Sequence, residues 1–524
     1  MKHMKKIASF VLAAIMVLAM VVPTFAATVT VTDNTDLNHT NYKAYQVFTG
    51  TQATGNTVLG DIQWGTGVKI TDFVTDLKAN AIIGAEFKEI DASNPDAAKV
   101  AEVIAKYAND STEAQIVAKL AWKNKASGTA LTIGTNELAT GYYLIVDEAD
   151  VSGKDDVANA ALLQLTTTMT INKKTDKPTL TKEIKHNESG QWGVVGDNQI
   201  GDTVEFRITT TVPSVTYYDT YSYTIHDTLS NGLTLNASSI KVYTDATLTT
   251  ELDSMLYTVK TSGITSGESF NVVITIKDST GVKVTANTLY TGYTATLNKD
   301  AKIYDTGKED NTAYLEYDNN PNGTGTGKTP EKKVYDWTFK MGINKVDDKG
   351  TALTGAKFVL AKQPITAPTY NADTDSLSST AGLIALIKDG TDYRVATPKE
   401  ITAGTEVVYI IDAGNPIIKG LDDSLTYYLY EVKAPAGYNL LSDPVTFKIT
   451  ADYNADGSEL QSGMPTVVVG TGTASTTLST NIVNKQGNTL PTTGGIGTTI
   501  FYVLGSILVL GAVILLATRR RMSR

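Results

Sequence analysis

Cysteine is missing from this chain altogether. No disulfide, thiolate metal site or cysteine nucleophile can be built from it. Histidine is nearly missing too, with only His3, His39, His186 and His226. None has the HExxH spacing of a zinc protease. His226 directly precedes Asp227, so in a strand the two side chains point to opposite faces and make no dyad. Acidic pairs such as Asp347-Asp348 lack the ligand spacing of a calcium loop and read as turn formers. Basic charge is in deficit, 45 Lys and Arg against 55 Asp and Glu, for a net charge of −10. That balance excludes the broad basic surface a nucleic acid requires. The expectation is a non-enzymatic chain with no cofactor, no metal and no nucleic-acid partner.

Long apolar runs are confined to the two ends. Basic residues in 1–6 precede an apolar stretch, Ile7 to Val22, that ends in Pro23-Thr24-Phe25-Ala26. This is the three-part pattern of a signal peptide, 1–26, cleaved after Ala26. Ile500 to Ala517 carries no charge and is followed by Arg519, Arg520, Arg521 and Arg524. Its length approaches a bilayer span, and the arginines belong on the cytoplasmic side. The chain between the ends is therefore expected outside the cell, yet it has no disulfide to secure it. Just before the span stands a short Pro/Gly punctuation, LPTTGG, from Leu490 to Gly495.

About 460 residues lie between the two ends, enough for roughly three domains. Thr, Val, Ile and Tyr are abundant, and many short runs alternate apolar with polar, as in Val204 to Thr209, Phe270 to Ile276 and Tyr427 to Val432. The fold class is mostly β, as tandem Ig-like β-sandwiches. Helical spacing appears only in the first third. Asn94-Pro95 reads as a cap before Val100, Val103, Ile104 and Tyr107, and a second helix from Ser111 buries Ile116, Val117 and Leu120. Breaks fall at INKKTDKP (171–178) and at the Gly/Pro/Lys-rich stretch 319–333, which reads as a linker. The expected domains are 27–173 (β with helical insertions), 174–333 and 334–488, followed by the tail 489–524.

Strand alternation sets up an anomaly. In PTLTKEIK, Lys182 shares a face with Leu180 and Ile184; in WTFKMGINKVD, Lys345 shares one with Phe339, Met341 and Ile343. Lysine is rarely buried unless paired. Asp227 falls with Tyr223 and Ile225, Glu431 with Tyr427 and Leu429, Asn319 with Ala313, Leu315 and Tyr317, and Asn484 with Ile482. Each later domain thus offers a Lys, an acid and an Asn pointing inward. Burial lowers a lysine's pKa and raises a carboxyl's. A neutral amine can attack the Asn side chain, with the carboxyl shuttling protons, and leave an isopeptide bond. Closing loops of more than about a hundred residues in this way stabilises by about 4–5 kcal/mol in the chain-entropy account. The competing reading is an edge strand whose lysine snorkels to water.

These residues resemble those of the sortase-assembled backbone pilins of Gram-positive bacteria. LPTTG (490–494), the apolar span and the arginine tail are similar to their cell-wall sorting signal. KVDDKGTALTGAKFVL with YYLYEVKAPAGY resembles a Cna-B-type domain. PTLTKEI, QIGDTVEFRITTTVP, YTIHDTLSNGLT and AYLEYDNNP resemble the middle isopeptide-forming domain of fimbrial subunits. NYKAYQVFTG and GYYLIVDE resemble their first domain. The resemblance implies Lys182–Asn319 and Lys345–Asn484 bonds assisted by Asp227 and Glu431, with Asn320 as an alternative to Asn319. It implies a sorting motif of Leu490, Pro491 and Thr492, with cleavage between Thr493 and Gly494. The new bond goes to a lysine of another subunit, placed at Lys174 with Lys173 and Lys177 as alternatives. The implied partners are identical subunits, a class C pilus sortase, a housekeeping sortase, tip and base pilins, peptidoglycan and a host surface ligand. Lys43 in the first domain has no evident Asn and acid, so no bond is expected there. The alternative is a monomeric wall-anchored adhesin, which needs no acceptor lysine.

Overall fold

The computed structural model describes residues 26–32, 41–52, 57–109, 111–158, 160–172, 177–215, 218–278, 282–321, 325–404, 406–487 and 496–522. Residues 1–25 of the expected signal peptide 1–26, Lys173, Lys174 and the motif Leu490, Pro491, Thr492, Thr493, Gly494 lie outside them.

The fold is mostly β, as the composition implies. In the first part, Ala26–Thr32 pairs antiparallel with Gly134–Ala139 and parallel with Met169–Asn172. A second sheet runs Leu59–Trp64, Tyr42–Gln52, Gly141–Asp147, Ala160–Leu165, and Thr129–Leu131 pairs with its second strand. Helices Ile70–Ala79, Ala97–Ile104 and Thr112–Lys123 pack Phe73, Val100 and Val117 against Val47, Phe48 and Leu144 of that sheet. Ser111 caps the last helix, its hydroxyl accepting from the Ala114 N–H, and Ile116, Val117 and Leu120 are buried as expected. The Ala97–Ile104 helix is capped by Asp96, which accepts from the Ala98 and Lys99 N–H groups, and not by Asn94. The carboxylate is the better partner for the positive end of the helix, and Pro95 stands outside it.

The middle part is a two-sheet sandwich. One sheet runs Trp192–Gly193, Leu180–Lys185, Thr203–Thr211, Thr288–Leu297, Leu233–Tyr243. The other runs Val195–Asp197, Lys332–Trp337, Glu309–Asp318, Tyr221–Leu229, Phe270–Lys277, Tyr257–Lys260. Alternation is strict: Val204, Phe206, Ile208 and Thr210 are buried, as are Asn311, Ala313, Leu315 and Tyr317. The stretch expected as a linker carries strands Thr326–Lys328 and Lys332–Trp337, both paired with Glu309–Asp318. The chain passes to the next sandwich at Thr338, a few residues beyond the expected boundary.

In the C-terminal part, Phe339–Val346 pairs with Ile417–Leu421 on one side and, in parallel, with Ser479–Val483 on the other. The facing sheet runs Ile411–Asp412, Lys357–Ala361, Thr426–Lys433, Val445–Thr450, Thr466–Val469. The first and last strands of this unit are thus neighbours. Buried side chains of the middle and C-terminal sandwiches form one continuous core. Ile496–Met522 is a helix whose apolar portion is long enough to cross a membrane and ends in Arg519, Arg520 and Arg521.

Candidate functional site

Two buried polar clusters stand inside the two later sandwiches, each where a Lys from the first strand meets an acid from the opposite sheet.

In the middle sandwich, Lys182 comes from Leu180–Lys185 and Asp227 from Tyr221–Leu229. Their side chains have no solvent exposure, and the amine donates to Asp227 Oδ2. The amine also donates to the Tyr293 hydroxyl at 2.6 Å, and that hydroxyl donates to Asp227 Oδ2 at 2.7 Å. Lys182 Nζ lies 5.8 Å and 5.3 Å from the centres of the Phe206 and Tyr293 rings. Burial pushes the Lys182 amine below its usual range against the pull of Asp227, and pushes the Asp227 carboxyl above its own. Burial likewise holds the Tyr293 hydroxyl protonated.

The carboxamide in this cluster is that of Asn311, which the sequence reading did not select. Its Nδ2 donates to Tyr293 Oη at 2.8 Å, and its Oδ1 is buried without a partner. Asn319 is fully buried but elsewhere: its Nδ2 donates to the Val151 carbonyl of the first part. Asp227 is in register with Ala313, so Asn319 stands six residues along the strand, about 20 Å away. The neighbouring Asn320 is half-buried. Alternation alone could have found Asn311, which shares a face with Ala313, Leu315 and Tyr317.

In the C-terminal sandwich the structure brings Lys345, Glu431 and Asn484 together. All three side chains are buried. Lys345 Nζ lies 4.0 Å from Glu431 Oε1 and donates to the Ile482 carbonyl at 2.8 Å. Asn484 Nδ2 donates to Glu431 at 3.0 Å and 2.9 Å and to the Asn439 carbonyl at 2.9 Å. Its Oδ1 has no partner. The Leu441 N–H donates to Glu431 at 3.0 Å, and Asn484 N–H to the Val346 carbonyl at 3.1 Å, so the trio is fixed by backbone on both sides. Burial lowers the Lys345 pKa, partly offset by Glu431.

The first part has no counterpart of this kind at Lys43. Lys43 pairs with Glu148 at 2.7 Å with its side chain 36% exposed, and Glu148 also takes Lys125 and the Tyr45 hydroxyl. Lys177 is tied to Asp155, at 2.7 Å from its carbonyl and 2.5 Å from its carboxylate. His226 turns away from Asp227, pairs with Glu268 at 3.0 Å and stacks on Tyr314. Asp347 accepts the Lys349 and Thr351 N–H groups at 2.9 and 2.7 Å, the work of a turn former.

Residues 339–459 match the SpaA family, described as a prealbumin-like fold domain, and residues 482–523 match the LPXTG cell wall anchor motif. Fimbrial subunit type 1 of Actinomyces viscosus is 28% identical over 249 residues, 43% of this chain and 43% of that protein. The trypsin-resistant surface T6 protein of Streptococcus pyogenes serotype M6 is 25% identical over 397 residues, 66% of this chain and 70% of its own. Similar solved structures include the T6 backbone pilin of Streptococcus pyogenes (TM-score 0.44, 17% identity, 88% of this chain and 99% of that one). Another is the full-length major pilin SpaD of Corynebacterium diphtheriae (TM-score 0.43, 15% identity, 88% and 97%). With its anchor motif and terminal apolar helix, the chain is a cell-wall-anchored surface protein with a membrane span before cleavage. Within that class its sequence is similar to a fimbrial subunit and to a trypsin-resistant surface protein, and its C-terminal part carries the prealbumin-like SpaA domain.

Proposed function

We propose that the chain is the shaft subunit of a covalent pilus that closes its own sandwiches with Lys182–Asn311 and Lys345–Asn484 isopeptide bonds. The observation that carries this reading is the buried lysine, acid and carboxamide in each later sandwich, with the amine's pKa lowered in both. The neutral amine attacks the Asn Cγ, the new C–N bond forms, and the Cγ–Nδ2 bond breaks. The acid carries the amine's proton to the departing nitrogen, which leaves as ammonia. For Asn484, turning the carboxamide over about Cβ–Cγ would bring its Oδ1, in place of Nδ2, against the Glu431 carboxyl.

Subunits are joined by a sortase that cuts between Thr493 and Gly494 and transfers Thr493 to a lysine of the neighbouring subunit. Lys174 is that acceptor. Lys177 is already engaged by Asp155, which favours the lysines before it. The pilus sortase, the housekeeping sortase that attaches the last subunit to peptidoglycan, the tip and base subunits and a host surface ligand are the partners of this reading. A role in adhesion and colonisation goes with it.

Two measurements test it. Co-expressed with a pilus sortase, the chain should give a ladder of detergent-resistant polymers that disappears in Lys174→Ala; a persistent ladder overturns that acceptor, and no ladder with the native chain favours a monomeric adhesin. Intact mass of the full chain should be lower by two ammonias than the mass its mature sequence requires.

A further inference from the structure

A third buried polar cluster lies outside the two isopeptide sites, in the seam between the middle and C-terminal sandwiches. Asp197 ends the strand Val195–Asp197, which pairs in parallel with Lys332–Trp337. Asp422 and Asp423 follow directly on Ile417–Leu421. The seam is tight: the Ile200 N–H donates to the Gly420 carbonyl at 3.1 Å, and the Tyr427 hydroxyl donates to Gln199 at 3.3 Å. All three aspartates are buried, at 0%, 0% and 2% exposure, and one carboxylate oxygen from each falls within 4.8 Å of the others.

Among the described residues, no lysine or arginine makes an ion pair with any of the three. Lys362 is spent on Asp202 at 3.5 Å. His186 Nε2 stands 3.1 Å from Asp197 Oδ1 but is not aligned to donate to it. Both oxygens of Asp197 and Oδ1 of Asp422 are buried with no hydrogen-bond partner. Buried charges of one sign need a partner, and unpaired buried carboxylate oxygens are rare. Their supports are present all the same. Asn187 donates to Asp422 Oδ2 at 2.5 Å, while the Ala451 N–H and Tyr453 hydroxyl hold Asp423 Oδ2 at 3.1 and 2.9 Å. These outer bonds orient carboxylates whose remaining oxygens face one another, as around a metal ligand set.

We propose that Asp197, Asp422 and Asp423 bind a divalent cation, calcium by its chemistry, that locks the middle sandwich to the C-terminal one. The donors are all carboxylate oxygens, the set that hard cations take, and Asp197 has both of its oxygens free to chelate. The cation neutralises a cluster that has no lysine or arginine partner and only His186 beside it, and it draws its ligands from both sandwiches. It stiffens the joint between two domains as a bond within either cannot. The inference stands whether or not the chain polymerises.

The test uses the full chain in detergent, stripped with EDTA. Millimolar Ca²⁺ should raise the melting temperature by several degrees. Tb³⁺ should give luminescence sensitised by Tyr453, which bonds Asp423, and by Trp337, whose ring centre is 6.0 Å from that of Tyr453; Ca²⁺ should displace it. Asp197→Asn should weaken calcium binding at least tenfold while melting no lower than the stripped native chain, because it removes repulsion. Asp422→Asn should do the same. The proposal fails if metal analysis and the melting curves show no calcium binding, if only Mn²⁺ or Mg²⁺ is bound, or if both variants respond to Ca²⁺ as the native chain does.

Discussion

Lys182 and Asn311 meet at one oxygen: each donates a hydrogen bond to the Tyr293 hydroxyl, at 2.6 and 2.8 Å, and that hydroxyl in turn donates to Asp227. The four residues come from four strands in two sheets. A bond between the amine and the carboxamide would tie the first strand of the middle sandwich to the far sheet.

The first prediction follows from that geometry. Asn311→Ala and Lys182→Ala should each leave the intact mass one ammonia heavier than the native chain, and Asn319→Ala should leave it unchanged. Peptide mapping should recover a branched peptide joining the segments around residues 182 and 311. A branch at Asn319 would refute the assignment.

Tyr293 should matter for the rate. Tyr293→Phe removes the hydroxyl that holds amine, acid and carboxamide in one place, and strands a buried donor at a cost of about 1–3 kcal/mol. Freshly folded protein should lose its middle-domain ammonia slowly or incompletely. The Lys345–Asn484 bond should form unchanged, because Glu431 contacts its carboxamide directly. Mass spectrometry over time after refolding separates the two.

Much of this was legible from alternation. Lys182, Asp227, Lys345 and Glu431 all lie on the faces that period two assigns them, because each strand pairs on both sides and the register shifts at Tyr221/Ser222, Phe339/Lys340 and Lys357/Phe358 fall at strand starts. What alternation does not carry is depth along the sandwich. Asn311 and Asn319 share a face, and only the pairing of Asp227 with Ala313 decides which stands beside Lys182. The helix Ile70–Ala79 was missed for another reason: Phe73, Val74 and Leu77 have helical spacing, but its N-cap, Lys69, makes no capping bond. The aspartate cluster was illegible because Asp197 is far in sequence from the adjacent Asp422 and Asp423, and all three lie in loops or at a strand end, where no periodicity acts.

Asn319 has a different task, and it too can be measured. It clasps the first part to the middle sandwich. Its side chain donates to the Val151 carbonyl, its own carbonyl accepts from the Ala158 N–H at 2.9 Å, and nearby the Gly153 N–H donates to the Thr326 carbonyl at 2.7 Å. Tyr317 adds a bond to Asp155 at 2.9 Å. Asn319→Ala should cost about 0.5–1.5 kcal/mol of docking by removing one of the two hydrogen bonds to the Val151 carbonyl, which keeps the Lys154 N–H. Limited trypsin should then release the first part faster, with the two-ammonia mass deficit intact.

Tension entering at Lys174 and leaving at Thr493 would run through Lys182 to Asn311 and through Lys345 to Asn484, bypassing the folded polypeptide between. The first part would precede that entry point, and beside its apolar core it holds a cluster of ion pairs at Glu148. Burial works against that carboxylate, but Lys125, Lys43 and the Tyr45 hydroxyl outweigh it and hold its pKa at about 2, below the ordinary 4.5. A depressed folded-state pKa means that stability is fully present above the unfolded value and drains away as pH falls through the folded one. Between about pH 4.5 and 2 the first part should therefore lose stability from this source, while the two later sandwiches, once bonded, keep their cross-links. Glu148→Gln should flatten its acid response and lower its stability at neutral pH. Trypsin-free hydrogen exchange across that range reads each part separately, and equal acid resistance of all three would overturn the prediction.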